Sequence, residues 1–191
     1  MYKKSLENFY ELVESFESLP TIGRKSALRL AYYIVNENSY TGLKIAHSIE
    51  NVIKNIKQCI KCNCISENEI CEICLDEHRD QNFIAIVQSA KDIFAIEESG
   101  HFNGTYFVLE NIESYTINKL IALIEEKEIK EILFAITPSL ANDTFILYVE
   151  DKLKFFTINF TKIAQGIPTG VSLENIDILS LACAIDGKQK I

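Results

Sequence analysis

The feature that most constrains this chain is a pair of cysteine knuckles. Cys59-Ile60-Lys61-Cys62 and Cys71-Glu72-Ile73-Cys74 are two C-x2-C sequences separated by eight residues. Each knuckle can turn two thiolates toward one ion, and two knuckles complete a closed tetrahedron. A closed four-sulfur site leaves no position for a substrate, so its expected role is structural. Zinc is the default ion, one per chain, and nothing in the sequence favours iron instead. Cys64 adds a C-x-C but is expected to be a bystander, because using it would break the symmetric knuckle pair. Cys183, in an apolar helical pattern, is expected in the core. His78, four residues beyond the last knuckle, is expected at the surface.

The segment Cys59–Asp80 is polar and weakly periodic, so it cannot supply much apolar core of its own. With only six cysteines in 191 residues, five of them between Cys59 and Cys74, a disulfide scaffold is excluded. The amino terminus, Met1-Tyr2-Lys3-Lys4-Ser5, leads into a charged amphipathic pattern without an apolar signal core. No run approaches the roughly 18 apolar residues of a membrane span. A soluble cytoplasmic protein with reduced thiols is the expectation.

On either side of the cysteines the hydrophobic pattern differs. Before them, Leu6, Phe9, Tyr10, Val13 and Phe16 recur at helical spacing over Ser5–Ser18. Leu19-Pro20-Thr21-Ile22-Gly23 interrupts that pattern. A second helix should bury Ala27, Leu28, Ala31, Ile34 and Val35. A third, from about Gly42 to Lys57, should bury Ala46, Ile49, Val52, Ile53 and Ile56. After the cysteines, short apolar runs alternate with helical segments. Strands are expected at Phe83–Val87, Thr105–Leu109, Glu131–Ile136 and Lys154–Ile158. Helices are expected at Asp92–Ser99, Ile117–Glu126, Thr144–Leu153 and Leu173–Ile185. Such alternation implies a largely parallel sheet covered by helices. The expected class is α+β and multi-module. A helical module (1–58) precedes a four-cysteine finger (59–80), an α/β domain (81–158), and a carboxy-terminal loop and helix (159–191).

The net charge of −8 argues against nucleic-acid binding by the whole surface. One stretch stands apart: from Ser18 to Asn36 there are three basic residues, Arg24, Lys25 and Arg29, and no acidic ones. Leu19-Pro20-Thr21-Ile22-Gly23-Arg24-Lys25-Ser26-Ala27 reads as a tight turn opening a helix, with Gly23 supplying a backbone conformation closed to other residues. Free N–H groups at the helix start suit a phosphate oxygen. Arg24 and Lys25 would add charge, and Arg29 lies one turn beyond Lys25. Gly23, Arg24, Lys25 and Arg29 are therefore the candidate DNA contacts, gripping the backbone without sequence preference. A capped turn between helices with basic solvent residues is the plainer alternative.

In this order, the hairpin, the knuckle pair and the α/β segment resemble the RecR family over nearly the whole chain. Leu19–Ala27 is similar to the family's helix-hairpin-helix signature. Cys59, Cys62, Cys71 and Cys74 have its spacing, with Arg79-Asp80 following. Ile86-Val87, Lys91-Asp92 and Ala95-Ile96-Glu97 resemble the start of its Toprim domain. Gly104, Tyr106 and Val108-Leu109 match the next strand. Ile163-Ala164-Gln165-Gly166-Ile167-Pro168-Thr169-Gly170 is similar to its carboxy-terminal loop. The resemblance implies a non-enzymatic recombination mediator. Such a protein works with RecO, and often RecF, to load the RecA recombinase at gapped DNA, and forms dimers that can close into a tetrameric ring around DNA.

The chain departs from the family at the Toprim site. Gln88 stands where an acid usually ends the first strand. Glu110-Asn111-Ile112-Glu113 is shorter than the usual glycine-rich loop, and Ala141-Asn142-Asp143 keeps one acid of a pair. A Toprim enzyme, the first alternative, needs a general acid/base carboxylate and paired acids for magnesium. Gln88 cannot serve as the acid. Asp92, Glu97 and Glu98 read as helix-start and solvent-face acids. No G-x-x-x-x-G-K loop for a nucleotide is present. A scaffold that contacts only protein is the second alternative, and the acidic total charge favours it.

Overall fold

The computed structural model describes residues 5–164 and 166–187, so Met1–Lys4, Gln165 and Lys188–Ile191 of the segments quoted above lie outside the described residues. The contacts divide the chain into two compact units, Met1–Ile56 and Lys57–Ile191.

The first unit is helical. Helices α1 (Glu7–Glu17), α2 (Arg24–Tyr32) and α3 (Ser39–Asn55) are joined by a hairpin and by a π-helical turn at Tyr33–Glu37. Asn38 caps α3 by accepting from the Thr41 N–H at 3.0 Å. The core of this unit is small: Val13, Ala27 and Ala31 are buried, with Phe9, Leu12, Phe16 and Ile22 packed around them. Two expectations fail here. Leu28 and Val35 of the second helix face outward, and α3 buries none of its residues, leaving Ile49, Val52 and Ile53 exposed. The helical period identifies an apolar stripe, but none of the described residues of this unit covers it.

The second unit opens with a two-stranded antiparallel ladder, β1 (Lys57–Gln58) and β2 (Ile65–Ser66), and the short helix α4 (Glu72–Leu75). The sheet follows: β3 (Asp80–Val87), β4 (Gly104–Val108), β5 (Glu131–Phe134) and β6 (Asn159–Lys162), in the order β4-β3-β5-β6. All three pairings are parallel. Helices α5 (Ala90–Ser99), α6 (Ser114–Lys127) and α7 (Leu140–Leu153) supply the crossovers, and α8 (Ile178–Asp186) ends the described chain. Parallel strands buried on both faces must be apolar almost throughout, and β4 is buried at every position. Gly104 is required at its start, since an added Cβ would lie 2.6 Å from the Phe83 carbonyl oxygen.

The fourth strand lies later than expected. Lys154–Ile158 is mostly the turn after α7, with Phe155 exposed, and β6 begins at Asn159. An edge strand pairs on one side only, so Asn159-Phe160-Thr161-Lys162 needs little apolar character, and the Phe155-Phe156 pair misleads. The closing helix is likewise two pieces, a 3-10 turn at Leu173–Asn175 and then α8. Cys183 on α8 is half-buried rather than core.

Side chains on the two faces of the sheet enter two clusters. Ile84, Ile86, Phe107, Ile132 and Phe134 pack with α6 and α7. Ala85, Val87, Tyr106, Val108 and Ala135 pack with Ile93 of α5 and with Cys59, Cys62, Cys64 and Cys71. The cysteine segment is thus one covering layer of the sheet. No helix among the described residues is long and apolar enough to cross a membrane.

Candidate functional site

The four knuckle cysteines converge. Their sulfur atoms all lie within 4.8 Å of one another. Cys59 Sγ is 4.0 Å from Cys74 Sγ, and Cys62 Sγ is 3.5 Å from Cys71 Sγ. A tetrahedral ion with bonds of about 2.3 Å to sulfur sets that edge at about 3.8 Å. The backbone favours anionic sulfur as well, since the Cys71 N–H donates to Cys59 Sγ at 3.3 Å. Three of the four cysteines are buried, and Cys74 is partly exposed. Cys64 is also buried but lies outside this group. Its carbonyl accepts from the Cys59 N–H at 2.7 Å, closing the first knuckle.

The thiols bias one another. Hydrogen bonds from Cys62 and Cys74 hold the Cys71 thiol far below its usual range. The bond to Cys71, then Cys74 and burial, hold Cys62 far above it. Bare thiols so placed can share one negative charge. A bound dication lets all four ionise, so the donor set, spacing and burial fit a metal ion.

Around the cluster are residues whose roles were not legible in sequence. Arg79 follows the second knuckle, and its guanidinium forms a two-pronged pair with Glu97 of α5, one bond at 2.9 Å. It also donates to Gly104 O at 3.1 Å, and the Tyr106 hydroxyl donates to Glu97 at 2.6 Å. Glu97 is therefore a partly buried ion-pair partner, not the solvent-face acid expected. The Arg79 guanidinium holds the Glu97 carboxyl below its usual range. Asp92 does cap α5, accepting from the Ser89 N–H at 3.0 Å, while Glu98 and His78 are exposed.

At the carboxyl ends of the central strands, Gln88 donates to Asn142 Oδ1 at 3.0 Å, and Asn142 donates to Thr137 O at 2.7 Å. Gln88 and Asn142 thus form a neutral amide pair at these strand ends. Asp143 faces Lys162 at 3.7 Å.

In the helical unit the turn is made differently than expected. Gly23 is the N-cap of α2 with φ −85° and ψ 165°, ordinary extended backbone. The left-handed conformation falls on Thr21, φ 67°. No side chain caps the first turn of α2, which leaves its N–H groups directed outward. Lys25 and Arg29 are exposed, and neither forms an ion pair among the described residues. Arg24 is instead bound to Glu17 at 2.8 Å.

A helical hairpin followed in the chain by a four-cysteine cluster set on a parallel α/β sheet defines a modular class of protein. Residues 9–53 match the family described as "RecR, helix-hairpin-helix". The chain is 50% identical over 188 residues to "Recombination protein RecR" of Campylobacter jejuni, covering 98% of this chain and 99% of that one. It is 48% identical over 189 residues to the Helicobacter pylori protein of the same name, covering 99% and 98%. The chain belongs to the RecR family.

Proposed function

We propose that this protein is a DNA-binding recombination mediator in recombinational repair, acting with RecO, and with RecF where present, to help load RecA at gapped DNA in the cytoplasm. The observation that carries the reading is near-full-length similarity to proteins named for recombination, together with the hairpin those proteins' family shares. The proposed DNA contacts are Gly23, Lys25 and Arg29. Arg24 is the weaker member, because it must leave Glu17 to reach a phosphate.

One zinc per chain, bound by Cys59, Cys62, Cys71 and Cys74, is the proposed cofactor, and its role is structural. The proposed modules are 1–58, 59–80, 81–158 and 159–191. Self-association to a dimer or ring is supported by the uncovered apolar stripe of α3. Several hairpins on one DNA raise effective concentration, which a chain of net charge −8 needs. The protein is proposed not to be an enzyme: the Gln88–Asn142 amide pair offers no carboxylate to abstract a proton or to hold magnesium.

The test is the Lys25→Glu/Arg29→Glu double variant, which should stay folded, keep its metal and lose gapped DNA. Binding as tight as the parent's at matched salt would move the protein-only scaffold ahead, a reading favoured by the acidic total charge and by Arg24's pairing with Glu17.

A further inference from the structure

The first knuckle is fastened to the sheet by a set of bonds in which the cysteine sulfurs take no part. The sheet ends at β4, so Val108 on its outer side has a backbone N–H and C=O with no strand to receive them. The knuckle receives both. Val108 N donates to Cys62 O at 2.8 Å, and Asn63 Nδ2 donates to Val108 O at 3.2 Å. Asn63 sits at φ 62°, in the left-handed region, and its N–H donates to Cys59 O at 3.0 Å, which closes the turn between the two ligands. Asparagine tolerates this conformation better than most residues.

Lys119 of α6 completes the arrangement. Its ammonium bonds Asn63 Oδ1 and lies 3.5 Å from Cys59 O. Among the described residues it has no carboxylate partner. The nearby Lys61 differs, since its charge is paired with Glu126 at 3.2 Å. Four thiolates around a dication carry a net charge of −2, and a partly buried ammonium behind the knuckle offsets it.

We propose that Asn63 and Lys119 are positioning residues of the four-cysteine centre. They hold the first knuckle in its left-handed turn on the β4 edge and so set how slowly the centre releases its metal. The inference rests on the metal reading above. It predicts a kinetic property, because a ligand pair can leave an ion only if its turn can open. Opening this turn means breaking the Lys119 bonds together with the two bonds to Val108, one from the Asn63 side chain and one to Cys62 O.

The experiment measures zinc content of the full-length protein and then the rate of zinc transfer to a chromophoric chelator. Asn63→Gly keeps the left-handed backbone accessible while deleting the side-chain bonds. Lys119→Met keeps the apolar stem and deletes the charge. Each should still bind one zinc, with a tetrahedral four-sulfur spectrum on cobalt substitution. Each should release zinc about tenfold faster, the scale of outer-shell losses at metal sites. The double variant should release zinc faster than either single one but by less than the product of their effects, because the two residues share one bond and each keeps one of its own, to Val108 O and to Cys59 O. Lys61→Met should match the parent. Ile93→Val, a loss of packing in the same cluster, should lower stability without changing the rate, which separates positioning from general loosening. Parent-like release from both Asn63→Gly and Lys119→Met overturns the proposal while leaving the metal reading intact. A parent that binds no zinc overturns both.

Discussion

The two units complete their folds by different means. The α/β unit covers both faces of its sheet, one with α6 and α7 and the other with α5 and the cysteine layer. Where apolar residues run short, a cluster suited to a metal ion takes their place. Among its described residues the helical unit has no such device. Its buried cluster is Val13, Ala27 and Ala31, and the most apolar stripe of α3 faces outward. Among the described residues, one unit closes over four convergent cysteines, and the other leaves an apolar helix face uncovered. A short polar segment can therefore be well packed while an amphipathic helix is not.

Removing the proposed metal should break this comparison most severely. A site occupied a thousandfold above its dissociation constant contributes about 4 kcal/mol, and Cys62→Ala should forfeit at least that. The loss should fall on the α/β unit. Hydrogen exchange should accelerate in β1, β2 and α4 and at the β4 edge, with α1 and α2 protected as before. Equal loss in both units would show that the helical unit depends on the metal too.

The fold was legible where local chemistry dictates it. Knuckle spacing picks out Cys59, Cys62, Cys71 and Cys74, whose sulfur atoms do converge, because the geometry that one ion would impose is short-ranged. The runs at Phe83–Val87 and Thr105–Leu109 identify strands because a strand buried on both faces must be apolar throughout. The rest depends on partners distant in sequence. Nothing near Glu97 announces Arg79, and nothing near Asn63 announces Lys119 or Val108. The period of α3 reveals an apolar stripe, but not whether this chain covers it. Gly23 drew attention as the glycine of the hairpin, yet the unusual dihedral belongs to Thr21, and sequence gives no reason to suspect a β-branched residue there.

The open surface provides the next test. Ile49 and Ile53 are 54% and 75% exposed, one helical turn apart on α3. If a second copy covers them, Ile49→Glu/Ile53→Glu should weaken self-association at least a hundredfold, about 2.7 kcal/mol, within the range of interface anchors. Sedimentation would read the change, and the metal content should stay constant. An unchanged mass distribution would mean that the stripe is not the interface.

The Arg79–Glu97 pair tests whether the cysteine layer is fastened at its far end as well. Arg79 is 14% exposed and Glu97 30%, so Glu97→Gln should cost about 1–2 kcal/mol at neutral pH, between the surface and buried limits. Glu97 is held below its usual range in the folded state, chiefly by Arg79. Its contribution is therefore complete above the unfolded carboxyl value of about 4.3 and is lost as pH falls through the lower folded value. Urea titrations at stepped pH, with metal saturating, should show the gap between parent and Glu97→Gln closing only in acid. A gap that closes on raising the pH would exclude this pair as its source.

The smallest effects lie in the hairpin, where they separate folding from binding. Thr21 holds φ 67°, a conformation that costs an L-residue roughly 1–2 kcal/mol. Glycine removes that cost but loses about 0.5–1 kcal/mol to backbone freedom in the unfolded chain. Thr21→Gly should therefore stabilise the unit slightly, by about 0.5 kcal/mol. Gly23 is already in extended backbone, and a Cβ there would meet nothing within 4 Å. Gly23→Ala should then change stability by only about 0.5 kcal/mol, a weaker N-cap being offset by a stiffer unfolded chain. Its DNA affinity is another matter. A methyl group beside the free N–H groups of α2 would stand where a phosphate must approach, so affinity should drop severalfold at matched salt while the melting temperature stays within a few degrees. Unchanged affinity in Gly23→Ala, with loss in Lys25→Glu/Arg29→Glu, would place the contact on the side chains alone and remove the backbone of the hairpin from the interface.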